Sequence, residues 1–478
     1  MRLPTHARFA LLAATTSLLA ACVQGPDYVR PAVDTPDAIR APVAFEQASS
    51  IADLPWWDVF QDPVLQDLIR RALKANPDVA IAAARVEQAR ALVGVARSEG
   101  LPQIGYEAGA GADQTFVPLP NTAESVEFVG FRGGISAVWE LDIWGRIKRA
   151  TEAARADLFA EEEVQRGVYL SLVSEVTVAY FELLALDRQL AIAEESAKVY
   201  RENVDFFTLR FDAGRDTRLP VERAQANYAH SQDRIAEVKG KIARQENALS
   251  VLTGVYPGSL PRGPALESQS LPEAGVGTTT ALLQRRPDIR RAEQQMISAN
   301  AQVGVAAANY FPRIGLGAFV GGESLNFANA VDESFAVWNV AAALSGPIFT
   351  GGRLKSEEAN RKAYWDETVA AYRRSILTAF KETSDALYAK KAAGERRTAL
   401  EEQVAALRRS VDLAMTRYQA GRANYFEVLE AEQQLFPAQY ALTEARRDQL
   451  AAVVLLYKAL GGGWQLPGET QSTSATGN

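Results

Sequence analysis

The sequence predicts a mixed, mainly α fold, internally duplicated, in which long coiled-coil helices are joined to four transmembrane β-strands per chain. Three observations predict it. Asn76-Pro77-Asp78-Val79 returns as Arg286-Pro287-Asp288-Ile289, and Leu101-Pro102-Gln103-Ile104-Gly105 as Phe311-Pro312-Arg313-Ile314-Gly315, both 210 residues later. Two runs of 68 residues, Arg146 to Ala213 and Arg353 to Ala420, contain no proline and one glycine each, Gly167 and Gly394. Ahead of each run the apolar period changes from 3.6 to 2, the change from helix to strand.

Taken in order, the chain opens with a basic lead (Arg2, His6, Arg8), an apolar stretch from Phe9 to Ala20, and Leu19-Ala20-Ala21-Cys22. This resembles a bacterial lipoprotein signal with its lipobox, removed at residue 21 so that Cys22 becomes an acylated N-terminus. An ordinary secretory signal followed by a chance cysteine is the alternative, but the only cysteine of the chain stands at the one useful place. Pro77 to Glu99 reads as a helix. Next come paired strands: Gln103 to about Thr115, then a segment where Ile135, Ala137, Trp139, Leu141 and Ile143 alternate with Ser136, Val138, Glu140 and Asp142. That is the lipid-out, water-in alternation of a barrel strand, and a soluble sandwich with one wet face is the reading against it.

The first 68-residue run would be roughly 100 Å long as one helix. Val164, Val168, Leu172, Val176, Tyr180, Leu183 and Leu184 keep a coiled-coil spacing of threes and fours within it. Pro220 to Thr253 is its returning partner, and Tyr256 to Gly277, rich in Pro and Gly, links the halves. The second half repeats the plan with strands at Arg313 to Gly321 and Phe335 to Leu344 and a seam at Val404, Leu407, Val411, Met415 and Tyr418. Arg210-Phe211-Asp212-Ala213-Gly214-Arg215 matches Arg417-Tyr418-Gln419-Ala420-Gly421-Arg422, 207 residues apart, where a tight turn needs a left-handed residue. The resulting division is 1–21 signal, 22–55 lipidated arm, 56–256 first repeat, 257–277 linker, 278–463 second repeat and 464–478 disordered tail. Four strands cannot close a membrane barrel, since known ones begin at eight, so several chains must complete it.

Composition narrows the function. Without Arg2 and Arg8 the mature chain has 49 basic and 58 acidic side chains, a balance that argues against a nucleic-acid partner. One cysteine rules out an internal disulfide framework or thiolate zinc cluster. The only mature histidine, His230, is mid-helix and solvent-facing by pattern, so a histidine-centred catalytic site or metal cluster is not expected. Neither a Gly-x-Ser-x-Gly nor a phosphate-binding Gly-x-x-x-x-Gly-Lys is present, so no enzyme is predicted. Trp139, Trp144 and Trp338 suit an aromatic girdle or a plain core.

The lipobox, the duplication, the Leu-Pro-Gln-Ile and Phe-Pro-Arg-Ile openings, Gly346-Pro347-Ile348-Phe349-Thr350-Gly351-Gly352-Arg353 and the ending Leu460-Gly461-Gly462-Gly463-Trp464 together resemble the TolC-like outer-membrane efflux factors. Within them the chain is most similar to NodT-type lipoproteins that partner resistance-nodulation-division pumps. The resemblance implies a homotrimer with a 12-stranded barrel in the outer membrane and a periplasmic α-barrel. It also implies a periplasmic adaptor and an inner-membrane pump as partners, and no cofactor beyond N-acyl and S-diacylglycerol lipid on Cys22. Val23 after the cysteine, in place of the Asp of inner-membrane retention, implies the outer membrane. The function implied is the exit duct of a tripartite system exporting small molecules such as drugs. A duct for protein secretion and a structural periplasmic coiled-coil lipoprotein are the alternatives.

By the same resemblance the pore constriction falls at Phe426, Glu427 and Glu430, after the second long helix. Three copies would gather six carboxylates, raising some of their pKa values and attracting cations, whereas glutamates in a first turn also simply complement a helix dipole. The tip turns, carrying Gly214, Arg215, Tyr418, Gly421 and Arg422, are where the adaptor would dock. The family's latch of Arg against Thr and Asp is not available, because those positions hold Ala423, Leu219 and Pro220.

Overall fold

The computed structural model describes residues 23–34, 36, 39–41, 50–119, 122–270, 272, 279–324 and 336–464. The signal, Cys22, much of the arm, part of the linker and the tail from Gln465 lie outside the described residues. Helices α1 (Pro63–Ala75) and α2 (Pro77–Ser98) lead into strands β1 (Gln103–Leu119) and β2 (Thr122–Leu141), followed by α3 (Arg146–Asp212) and α4 (Arg218–Leu252). The second half runs α5 (Thr279–Arg285), α6 (Pro287–Ala308), β3 (Arg313–Ser324), β4 (Ala336–Ser345), α7 (Arg353–Gln419) and α8 (Tyr425–Ala459). The long helices are 67 residues each, as their freedom from proline allows. The chain forms two compact units, each drawing on both halves: residues up to Ala32, Arg85–Glu162 and Arg291–Arg373 in one, Val33–Ala84, Glu163–Arg290 and from Arg374 in the other.

The first unit holds an antiparallel sheet in the order β1-β2-β3-β4. Directly opposed residues share a face, so its register sorts the side chains. Tyr106, Ile135, Val320 and Trp338 form one row, and Ile104, Ala137, Ala318 and Val340 the next. Most of these large side chains are exposed, Tyr106 by 91% and Trp338 by 78%, which makes an apolar face that no other described residue covers. The other face carries Glu107, Arg132, Ser136, Glu140 and Glu323. There Phe319 lies across the opposed pair Gly134 and Gly321, where a Cβ on either glycine would come within 2.6 or 2.8 Å of its ring. Arg132 stacks on that ring at 4.1 Å and pairs with Glu107 at 3.2 Å.

Two expectations are corrected here. Ile143 lies beyond β2, which ends at Leu141, because the Asp142 carboxylate turns to accept from the Ile147 and Lys148 amides and so caps α3. Trp144 is half-buried, donating to the Pro312 carbonyl at 2.7 Å and stacked on Phe311, so only Trp139 and Trp338 are placed on the strands as a girdle would require. The arm is pinned to this unit: Gln24 donates to the Trp144 carbonyl, Asn300 donates to Pro26, Arg149 pairs with Asp27, and Arg30 pairs with Glu293. Gly25, at φ +90°, rests on Gly304 where a Cβ would clash.

The second unit has the aromatic core. Asp62 caps α1 by accepting from the Val64 and Leu65 amides, and Leu65, Leu68, Ile69 and Ala72 bury one face at helical spacing. The same carboxylate accepts from the Tyr180 hydroxyl at 2.8 Å and from Gln269, tying α1 to α3 and to the linker. Arg262 of the linker reaches Asp187 and Glu246. Duplication is visible as repeated contacts: Asn76 donates to the Leu252 carbonyl that ends α4, and Arg286 to the Ala459 carbonyl that ends α8. Gly254 and Gly461 follow those ends at φ +71° and +79°. The predicted seam is buried from Leu172 through Leu184, and in α7 Val404 packs with Leu407 and Val411 on Leu435, Ala438 and Leu442 of α8. His230 is exposed, as its helical position predicts.

Candidate gate at the helix turns

Both long helices end in the same closure. Gly214 at φ +68° and Gly421 at φ +66° occupy the left-handed position. The next residue reaches back five places, Arg215 to the Arg210 carbonyl and Arg422 to Arg417, each at 2.9 Å. This is a Schellman closure, which satisfies carbonyls that a helix end leaves bare. Arg215 and Arg422 are exposed, so the turns present cations to the outside. Asn424 then caps α8 by accepting from the Phe426 amide.

Behind the turns lies an aromatic ladder. Phe206 meets Tyr418 at 6.1 Å, Tyr418 meets Tyr425 at 5.2 Å, and Tyr425 meets Phe207 at 4.5 Å, all edge to face. Tyr418, half-buried, is thus a link between the first-half and second-half helices. Val428 and Leu429 bury the inner side of α8 in this cluster, with Ala224 of α4 and Ala414 of α7.

That burial fixes what faces outward. Phe426 is 52% exposed and lies under Arg223 of α4, whose guanidinium is 5.5 Å from the ring centre. Glu427 is exposed and pairs loosely with Arg417 of α7 at 3.5 Å. Glu430, one turn on, is exposed too, and both carboxylates line a groove with Arg409, Ser410 and Gln434. The three side chains singled out in the sequence are therefore free to meet solvent or another chain, with Phe426 turned toward α4 and the glutamates toward α7. Leu219 is exposed, Pro220 lies in the first turn of α4, and Ala423 is half-buried. None of these side chains can donate or accept, so they make no polar latch.

Sequence reasoning missed Glu432. It is buried to 4% exposure between α8 and α3, and Asn203 donates to it at 3.3 Å. The signal was present, since Glu432 follows Val428 by four and Leu429 by three and so falls on the buried stripe. Among the described residues no group of His, Cys, Asp and Glu could hold a metal.

Comparison with known proteins agrees with this architecture. The family model described as "Outer membrane efflux protein" matches residues 68–255 and 279–462. The cation efflux system protein CusC of Escherichia coli O6:H1 is 32% identical over 451 residues, covering 94% of this chain and 97% of that one. The solvent efflux pump outer membrane protein SrpC of Pseudomonas putida is 33% identical over 472 residues, covering 98% and 99%. A crystal structure of CusC superimposes with a TM-score of 0.82 at 30% identity, covering 92% of this chain and 99% of that one. These matches account for both halves and the sheet between their helices, and the chain belongs to the outer membrane efflux protein family.

Proposed function

We infer that this protein is the outer-membrane exit duct of a tripartite efflux system, not an enzyme, and that three copies form the channel. The observation that carries it is the sheet, apolar on one face along rows such as Tyr106–Ile135–Val320–Trp338, charged on the other and open at both edges, which closure within a bilayer satisfies. Glu107, Glu323 and Glu140 then line a water-filled lumen with Arg132 among them. A periplasmic adaptor, which joins the duct to an inner-membrane pump, meets the paired turns at Gly214 and Gly421, where the exposed Arg215 and Arg422 offer charge to it. Phe426, Glu427 and Glu430 narrow the periplasmic mouth.

The cargo is small molecules such as drugs. CusC is described as a cation efflux protein and SrpC as a solvent one. The soft donors of this chain are Cys22 and the methionines at 1, 296 and 415, of which Met296 is fully buried. Such a wall has no ladder of thioethers for soft cations, so selection rests with the pump.

Cys22 carries the lipid that fixes the chain to the outer membrane. Its support is the arm: Gln24, two residues on, is bonded to Trp144 beside the end of β2, so an acyl chain starts close to the strands. One preparation tests both statements. Parent and Cys22→Ala chains are expressed with labelled palmitate, purified from outer membranes and reconstituted in planar bilayers. Label is expected only in the parent, and the parent should conduct; label in the variant overturns the anchor, and a silent parent overturns the duct.

A further inference from the structure

The gate needs something that holds it shut, and the turns supply no polar latch. Behind the aromatic ladder Gln433 of α8 donates to Asn227 of α4 at 3.3 Å in an exposed contact, and a second polar contact between the two halves of the chain is buried. Asn203 of α3 donates to Glu432 of α8 at 3.3 Å, and both side chains are buried. The contact is unusual because a carboxylate shut away from water needs a cation or several donors to stay charged. Glu432 has one neutral amide.

We propose that Glu432 and Asn203 form a proton-operated latch between α3 and α8, closed while the carboxyl is neutral and released when it ionises. The proposal rests on the reading of this chain as a gated duct.

The surroundings of Glu432 have been arranged without countercharge. From α3 it is faced by the Tyr200 phenol and Asn203, and from its own helix by the Tyr425 phenol. Burial and the nearby carboxylate push both phenols up, so they stay neutral throughout the useful range. The adjoining cluster takes Val221, Ala224 and Tyr228 from α4 and Ala414, Met415 and Tyr418 from α7, none of them charged at neutral pH. On α3, Arg201 and Asp205 pair with each other at 3.4 Å on the exposed side, Arg201 stacks over Tyr228, and Glu202, beside Asn203, is exposed. Arg417 of α7 is paired with Glu427. No charged group in these contacts offsets a charge on Glu432.

Burial, opposed only by the Asn203 bond, accordingly raises the Glu432 carboxyl from 4.5 to about 7. Parting α8 from α3 would hydrate it and return it toward 4.5. Between those values the closed form holds a proton that the open form has released, so closure is fully favoured on the acid side. The bias shifts toward opening by up to about tenfold per pH unit as pH rises through this window and levels off above it. The duct would thus be tighter in an acidified periplasm.

Amide exchange reads the latch without relying on conduction. The full-length protein in detergent is measured between pH 5 and 8, corrected for intrinsic exchange, over 198–207 and 425–436. In the parent, protection of both segments should fall more than about tenfold across this range. Glu432→Gln, which keeps the shape and the acceptor but cannot ionise, should stay protected throughout. Asn203→Leu, which removes the donor to Glu432, should move the midpoint to higher pH. The latch is refuted if the parent shows no pH-dependent loss, or if Glu432→Gln loses protection as the parent does. Should protection follow the prediction in a protein that never conducts, the latch stands and the duct reading fails instead.

Discussion

Glu427 and Glu430 project toward α7 while Phe426 projects toward α4, so charge and bulk at the second turn can be changed separately. Glu427→Gln with Glu430→Gln removes charge at nearly constant volume and should weaken block by multivalent cations in planar-bilayer recordings. Phe426→Ala should instead raise conductance, since it takes away a ring that is half exposed at the turn. Unchanged block and conductance in both variants would place the constriction elsewhere. The exposure of these residues was legible in the sequence, because Val428 and Leu429 between them mark the buried side. Glu432 was not singled out, although its phase is that of Val428. Carboxylates are solvated so regularly that residue type outweighed position, and only the packed structure shows the exception.

Among the elements, the helices were the most legible. Proline-free runs bounded by Gly145 and Gly214, and by Gly352 and Gly421, all at positive φ, fix the long helices to within a residue or two. Strand limits were less so: β2 starts at Thr122, well before the alternation that signals it, since Gly130, Gly133 and Gly134 interrupt the pattern. Those glycines have separate uses that alternation cannot report. Gly321 lies so close to β2 that a Cβ would stand 2.2 Å from the Gly133 carbonyl oxygen and 2.8 Å from the Phe319 ring, whereas a Cβ at Gly317 meets nothing within 4 Å. Gly321→Ala should therefore disrupt the β2–β3 pairing, lowering the yield of the heat-modifiable, barrel-containing form on gels. Gly317→Ala should leave it intact. Equal yields from the two variants would show that the tight approach is not needed for assembly.

For the whole molecule, the sequence made duplication plain through repeats 207 and 210 residues apart, and the structure repeats even the bond that holds each returning helix, Asn76 to Leu252 and Arg286 to Ala459. In the proposed channel each edge strand is completed by another copy of the chain. β1 and β4 are those edges, and every unpaired amide on them would cost several kcal/mol in hydrocarbon. A sheet of four strands is too narrow to curl closed on itself, and known membrane barrels begin at eight. Two copies would meet that minimum, but a lumen of eight strands is filled by its own side chains. Three copies give a wider ring with room for cargo between the charged faces. Protein extracted from outer membranes should accordingly have the mass of three chains by light scattering in detergent, after subtraction of the micelle. The proposed ring of three copies also predicts that dissociated chains aggregate once detergent is removed, since Tyr106, Ile104, Val340 and Trp338 would be left in water. A chain that is monomeric and soluble without detergent would contradict the barrel itself, and would leave the coiled-coil helices as a structural element with no pore.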